Sequence, residues 1–474
     1  MYYLALFVIA FNIFVGIYYS IYNAILTFLF ILAFVSILNY IRIIRLFPVK
    51  ELQKTDMPPV SLIIPAYNEE NVIVRTVHSA LNISYSNYEI IVVNDGSGDA
   101  TLINLINAFN LRKIDLVYRQ LIKTEKVKAF YYNPEIPNLI VVDKERGGKS
   151  DALNCGINVS KAPYICSIDA DSIIEKDSLI RLMSRVIESE VPVIGLGGVV
   201  RVLNGVKLKD GEVEKIDLSN KPIANLQIVE YLTAFLLGRS GFNVLNQTMI
   251  LSGAFSLFNK GALIQVGGYS KDTVTEDLEI VVRLHKHFRE RGEKYYIGFI
   301  TDPICWTEIP EDTRTLAKQR RRWHLGLIQT LYKYKFMLFN PRYGRIGMFA
   351  LPYYLLFEVL GPIIELIGYI MVPSAYVLGL ISYKFFLLFL LLAVVYGSFL
   401  SVCGVFLEEL TYRRYPEWKH LFRLVLYGIM QNLGYRQLNS FWRLQATIKY
   451  IAGYRRWEYV KKKGSGVYEF KETP

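Results

Sequence analysis

Charged residues are absent from 2–40 and again from 385–407, whereas 58–335 alternates short apolar runs with amphipathic stretches. The second uncharged run has 23 residues. A helix of that length, at about 1.5 Å per residue, measures roughly 34 Å, enough to cross a hydrocarbon core of about 30 Å. The first run accommodates either two short spans, turning near Ser20 to Asn23, or one long span preceded by an interfacial segment. No basic residue precedes it and no small-residue cleavage site follows, so a retained anchor is expected rather than a signal peptide. A third apolar stretch, 348–372, carries Glu358 and Glu365 on one helical face. Such acids either face a bundle interior or wet cavity or pair with basic residues of neighbouring helices, and Glu358 can instead lie near an interface. The stretch 421–451 is interrupted by Arg423, Gln431, Asn432, Arg436, Gln437, Asn439 and Arg443, and reads as a channel-lining span followed by an interfacial amphipathic helix.

Between the apolar ends, 60–65, 88–93, 139–142 and 164–168 read as buried strands. Helices are predicted over 69–81, capped by Asn68, from near Asp99, and over 150–159. This is a run of βα units, which predicts a largely parallel sheet with ligands at the carboxyl ends of its strands. The expected organisation is a membrane anchor at 1–47, an α/β domain at 58–335 ending in an interfacial helix, membrane and interfacial helices at 336–456, and a cytoplasmic tail at 457–474.

Composition sharpens the setting. Of 474 residues 52% are hydrophobic, and the net charge is +12. Basic residues flank the apolar segments at Arg42, Arg45, Arg320 to Arg322, Arg413, Arg414, Arg455, Arg456 and Lys461 to Lys463. The positive-inside bias then predicts a multi-pass plasma-membrane protein with its α/β domain in the cytoplasm and the lipid bilayer as a partner. No separate basic domain exists, which argues against nucleic-acid binding. Cys155, Cys166, Cys305 and Cys403 lack metal-like spacing and suit a reducing compartment.

The candidate chemistry lies where strands end. Asp95, before Gly96, leaves the sheet in a tight turn and is either a turn former or an acceptor for a ribose or base edge. Asp169 and Asp171 follow the strand 164–168, where alternate residues of an extended chain share a side. Two hard oxygen ligands there suit Mg²⁺ or Mn²⁺ completed by substrate phosphates. Lys149, in a Gly-Gly-Lys-Ser stretch without full Walker spacing, can hold a phosphate or a base carbonyl at a helix start. Glu276 and Asp277 open a helix running to about Arg289, where the dipole favours negative charge. Gln319, Arg322 and Trp323 share one face of a helix over 313–334 and suit either a diphosphate with a stacked sugar or an interfacial anchor.

Together these motifs resemble the membrane-embedded, inverting family 2 glycosyltransferases that include cellulose, hyaluronan, poly-N-acetylglucosamine and mixed-linkage β-glucan synthases. The likeness covers 58–335 and, more loosely, the flanking membrane segments. It implies a GT-A (Rossmann-like) α/β domain between transmembrane helices. Asp95 would contact uridine, Lys149 and Asp169 the nucleotide sugar, Asp169 and Asp171 the metal, and Asp277 would be the general base. Gln319 and Arg322 would meet the diphosphate, while Trp323, Glu276 and Phe255 would face the acceptor. The implied partners are a UDP-sugar donor, a growing glycan and an unidentified secretion partner. A Phe-x-Val-Thr-x-Lys gating loop and room for a cyclic-dinucleotide receptor domain are missing from this sequence, which favours a smaller synthase than bacterial cellulose synthase. A non-processive glycolipid enzyme of the ceramide glucosyltransferase kind also resembles this pattern.

Overall fold

The computed structural model describes residues 2–46, 57–209, 211–415, 417–454 and 467–469. The basic residues Arg455, Arg456 and Lys461 to Lys463, and most of the expected tail, lie outside the described residues. The chain divides into two compact units, one of 1–38, 221–245 and 310–460, the other of 39–220, 246–309 and 461–474.

The second unit is built on a ten-stranded sheet. Its strands are β1 (Val60–Ala66), β2 (Tyr88–Asp95), β3 (Arg112–Ile114), β4 (Val127–Tyr132), β5 (Leu139–Lys144), β6 (Tyr164–Ile168), β7 (Ser172–Ile174), β8 (Val193–Val202), β11 (Phe255–Asn259) and β12 (Tyr296–Thr307). The spatial order is β3-β4-β5-β2-β1-β6-β11-β8-β12-β7. Strands β5, β2, β1 and β6 are mutually parallel, as βα units require. Strands β8 and β12 are parallel as well, but the sheet as a whole is mixed, because β11 runs antiparallel to both β6 and β8, and β3–β4, β4–β5 and β7–β12 are antiparallel. Strand β11 is reached through the long segment 203–254 rather than a βα crossover, so nothing forces it to run parallel. A small hairpin of β9 (Lys207–Lys209) and β10 (Glu212–Lys215) takes β13 (Val467–Glu469) as a third strand.

Two helices matter for the site. Lys149–Val159 and Glu276–Arg291 share one core, in which Ile63, Ile91, Val93 and Val142 of the sheet meet Ala152, Leu153 and Ile157 of the first and Ile280, Val281 and Leu284 of the second. The first lies so close to β1 that a Cβ on Gly156 would stand 2.4 Å from Ile63 Cγ2. Such packing fixes both helix starts against the strand ends. One helix start differs from the sequence reading. Asn68 has a left-handed φ of 56° and accepts the Gly98 N–H at 2.9 Å, and the helix begins only at Ile73, without a side-chain cap. A residue at positive φ cannot serve as an ordinary N-cap, whose backbone is extended.

The other unit is helical. Tyr2–Leu46 forms a single helix without a turn at Ser20 to Asn23. Among the described residues three segments are long and apolar enough to cross a membrane, Leu6–Arg42, Ile346–Val377 and Tyr383–Thr411. Val15, Tyr19, Val372, Phe389 and Ala393 form a core among them. Glu365 is ion-paired with Arg436 and accepts the Ser440 hydroxyl at 2.9 Å, and Glu358 meets Arg443 at 2.7 Å, so both acids pair with the helix Arg436–Ile451. That helix is separated from Trp418–Met430 by a break with non-helical backbone at Leu433 and Gly434.

Candidate active site

Lys149 is the first residue of its helix and follows Gly148, whose φ of 92° is a conformation that favours glycine. Its ammonium lies 2.6 Å from Asp169 Oδ1 and 3.0 Å from Glu276 Oε1. Burial works against the charge, but Asp169, Glu276 and Asp277 outweigh it and raise the lysine above its ordinary range. Asp277, half-buried in the first turn of its helix, accepts the Gly253 N–H on Oδ2 at 3.2 Å and the Leu278 N–H on Oδ1 at 2.9 Å. A Cβ on Gly253 would stand 3.1 Å from Lys149 Nζ and 3.4 Å from Asp277 Oδ2. Gly253→Val would push two methyl groups towards that gap. We expect transfer to fall by about 10²-fold, as displacements near 1 Å cost in other active sites, with an unchanged melting midpoint; an unaltered initial rate would show that the gap is not used.

The two aspartates after β6 are not equivalent. The strand stops at Ile168, the chain turns with the Ser172 N–H on the Asp169 carbonyl at 3.0 Å, and β7 begins. The Asp169 side chain keeps 28% exposure, whereas Asp171 is 1% exposed and accepts the Thr307 hydroxyl at 3.5 Å. The extended geometry expected for this pair is replaced by a turn. Among the described residues no group of three or more His, Cys, Asp and Glu side chains forms a metal cage. The donor set still fits a hard divalent ion that takes its other ligands from phosphate, because one Asp169 oxygen already faces a cation, the Lys149 ammonium.

Two other candidates sit differently from expectation. Asp95 is 3% exposed and both its oxygens are engaged. Oδ1 takes Lys144 Nζ at 2.6 Å and the Gly147 N–H at 2.9 Å, and Oδ2 takes the Gly148 N–H at 2.7 Å. It therefore holds the turn ahead of Lys149. Phe255 is wholly buried as the first residue of β11, so its ring offers no surface to an acceptor. The residues just before it, through Gly253, border Lys149 and Asp277 instead.

Several residues escaped the sequence reading. Asp151, Asn154 and Asn158 form a buried polar stripe at helical spacing, and each grips backbone elsewhere. Asp151 accepts the Glu125 N–H at 3.1 Å, Asn154 bonds the N–H and carbonyl of Tyr269, and Asn158 accepts from Leu121 and Ile122. The signal was the spacing, since polar residues recurring on one face of a helix that packs on a sheet need buried partners.

Gln319, Arg322 and Trp323 belong to the helical unit, on Thr313–Lys333. Arg320 is buried there, paired with Glu230 Oε2 at 2.6 Å, and its guanidinium lies 4.4 Å from the ring centroid of Trp323. The Tyr435 hydroxyl donates to the same Glu230 oxygen at 2.7 Å. Trp323 remains 37% exposed, and the Gln319 Oε1 atom is buried without a hydrogen-bond partner among the described residues.

Residues 61–267 match the family described as glycosyl transferase family 2. The chain carries a glycosyltransferase family 2 domain. Asp95, Lys149, Asp169, Asp171 and Gly253 fall inside its matched stretch, and Glu276 and Asp277 just beyond it. The mixed sheet of this family 2 domain is of the GT-A, Rossmann-like type, and apolar helices able to cross a membrane occur on both sides of it in the sequence. Over 278 residues the chain is 27% identical to the poly-beta-1,6-N-acetyl-D-glucosamine synthase of Staphylococcus aureus strain MSSA476, covering 58% of this chain and 56% of that protein. The protein of the same description from Staphylococcus epidermidis is 27% identical over 269 residues, covering 56% and 54%. The chain thus spans about half the length of the curated relatives it matches. Among solved structures, the mannosyltransferase PcManGT from Pyrobaculum calidifontis in complex with GDP-Man and Mn²⁺ is similar over 87% of this chain and 99% of that one, at 18% identity and a TM-score of 0.47.

Proposed function

We propose that this protein is an inverting transferase that moves a hexose from a UDP-sugar to the end of a growing β-linked polysaccharide and exports the product through its own membrane helices. The observation that carries this reading is the meeting of Asp169, Glu276 and the Lys149 ammonium beside Asp277, with Gly253 leaving the gap between them unfilled. Similarity to the poly-beta-1,6-N-acetyl-D-glucosamine synthases favours UDP-N-acetylglucosamine over UDP-glucose as donor. Asp277 takes the proton of the acceptor hydroxyl as that oxygen attacks the anomeric carbon, and the bond to the UDP oxygen breaks in the same displacement. Lys149 meets negative charge growing on the departing diphosphate. A Mg²⁺ or Mn²⁺ ion held by Asp169, with Asp171 behind it, would supply further charge neutralisation to the diphosphate. Gln319 joins Arg322 in diphosphate recognition. Trp323 stacks on an acceptor sugar and Glu276 orients its hydroxyls.

Purified protein in nanodiscs, given one radiolabelled UDP-sugar at a time with Mn²⁺, tests the proposal. High-molecular-weight, glycosidase-sensitive product from a single donor supports it, and a short lipid-extractable product would replace it with a glycolipid synthase. Replacing both Asp169 and Asp171 by Ala is expected to weaken Mn²⁺-dependent UDP binding by at least about 10-fold, as loss of metal support does elsewhere. Isothermal titration with and without Mn²⁺ measures this, and equal affinities before and after substitution would remove the metal role.

A further inference from the structure

Lys144, the last residue of β5, has no exposed surface. Its three ammonium donors meet three acceptors, Asp95 Oδ1 at 2.6 Å, Asp151 Oδ1 at 2.7 Å and the Glu145 carbonyl at 2.6 Å. Asp151 is completed by Lys271 at 2.5 Å and the Glu125 N–H, and Asp95 by the N–H groups of Gly147 and Gly148. The Gly147–Gly148 turn is thus held by Asp95 on one side and closed against Asp151 on the other, where a Cβ on Gly147 would stand 2.5 Å from Asp151 Cγ. The next residue is Lys149.

We propose that Lys144 is a positioning residue, which locks Asp95 and Asp151 around the Gly147–Gly148 turn and so sets where the Lys149 ammonium stands. Lys144 does not touch the donor and acts through Lys149, so the proposal rests on the donor-site reading of Lys149. Without the Lys144 charge, Asp95 loses the buried cation that ties it to Asp151, and the turn it holds is no longer fixed against that residue. An ion network that merely stabilised the fold would not need to converge on the two N–H groups immediately before the donor-site lysine.

The test is a double-mutant cycle on the full chain in detergent, with Lys144→Met, Lys149→Met and the combination, reading UDP affinity in Mn²⁺ buffer together with the melting midpoint. Each single change is expected to weaken UDP binding by about tenfold, with the pair losing no more than either alone, because residues acting as one unit are not additive. Additive losses, or a lowered melting midpoint with unchanged UDP affinity in Lys144→Met, would make the network purely structural and overturn the proposal. Unchanged UDP affinity in Lys149→Met alone would overturn the donor-site reading, and this proposal with it. Should Lys144→Met not fold, Lys144→Gln, which keeps amide donors towards the carboxylates, enters the same cycle under the same criteria.

Discussion

Asp277→Asn is expected to lower glycosyl transfer by about 10²–10⁴-fold, the range that loss of a general base commonly brings. The substitution keeps the shape of the side chain, and an amide oxygen can still accept the Gly253 N–H that the carboxylate now holds at 3.2 Å. UDP affinity and the melting midpoint should therefore stay close to those of the parent. This dissociation of binding from turnover separates a base from a structural helix-start acid, which would lose stability and activity together. Near-normal turnover at saturating donor would take Asp277 out of the role.

The second large effect is expected in the helical unit. Glu365 is 7% exposed, ion-paired with Arg436 and bonded to Ser440, on a helix apolar enough to cross a membrane. Glu365→Leu would leave the arginine without its counter-charge at a cost of roughly 3–5 kcal/mol, as for other buried pairs broken on one side. The expected result is a marked fall in the melting midpoint and in the yield of monodisperse protein. Adding Arg436→Leu should recover most of the loss, since an apolar replacement of both partners removes the uncompensated charge. If the single variant melts like the parent, the pair does not hold these helices.

How much of this was legible in the sequence depended on whether the signal was local. Asp169 and Asp277 stood out because strand ends and helix starts are marked by short patterns, and the fold sets both carboxylates near Lys149. The helices Lys149–Val159 and Thr313–Lys333 followed from apolar periodicity for the same reason. Asp95 was visible as a residue but not in its contacts. Its partner Lys144 lies beyond the apolar run that marked the strand, and only the pairing of β2 with β5 reveals the two as neighbours. Phe255 is buried as the first residue of β11, and such a residue looks the same in sequence whether its face is wet or dry. The antiparallel entry of β11 is a long-range choice that no local pattern encodes. For Glu358 and Glu365 the sequence left several environments open, and their partners Arg443 and Arg436 lie some seventy residues and more away.

The pairing of Asp95 with Lys144 as the last matched residues of β2 and β5 has a consequence for folding. A slip of one residue between those strands would turn alternate side chains to the opposite face and strand both charges away from each other in an apolar interior. The pair thus acts as a proofreader of strand alignment, penalising a misaligned chain at the very point where the Lys149 turn has to form. A chain aligned in this register already places the Asp95 carboxylate where it takes the Gly147 and Gly148 N–H groups, so one alignment supplies both the sheet and the turn.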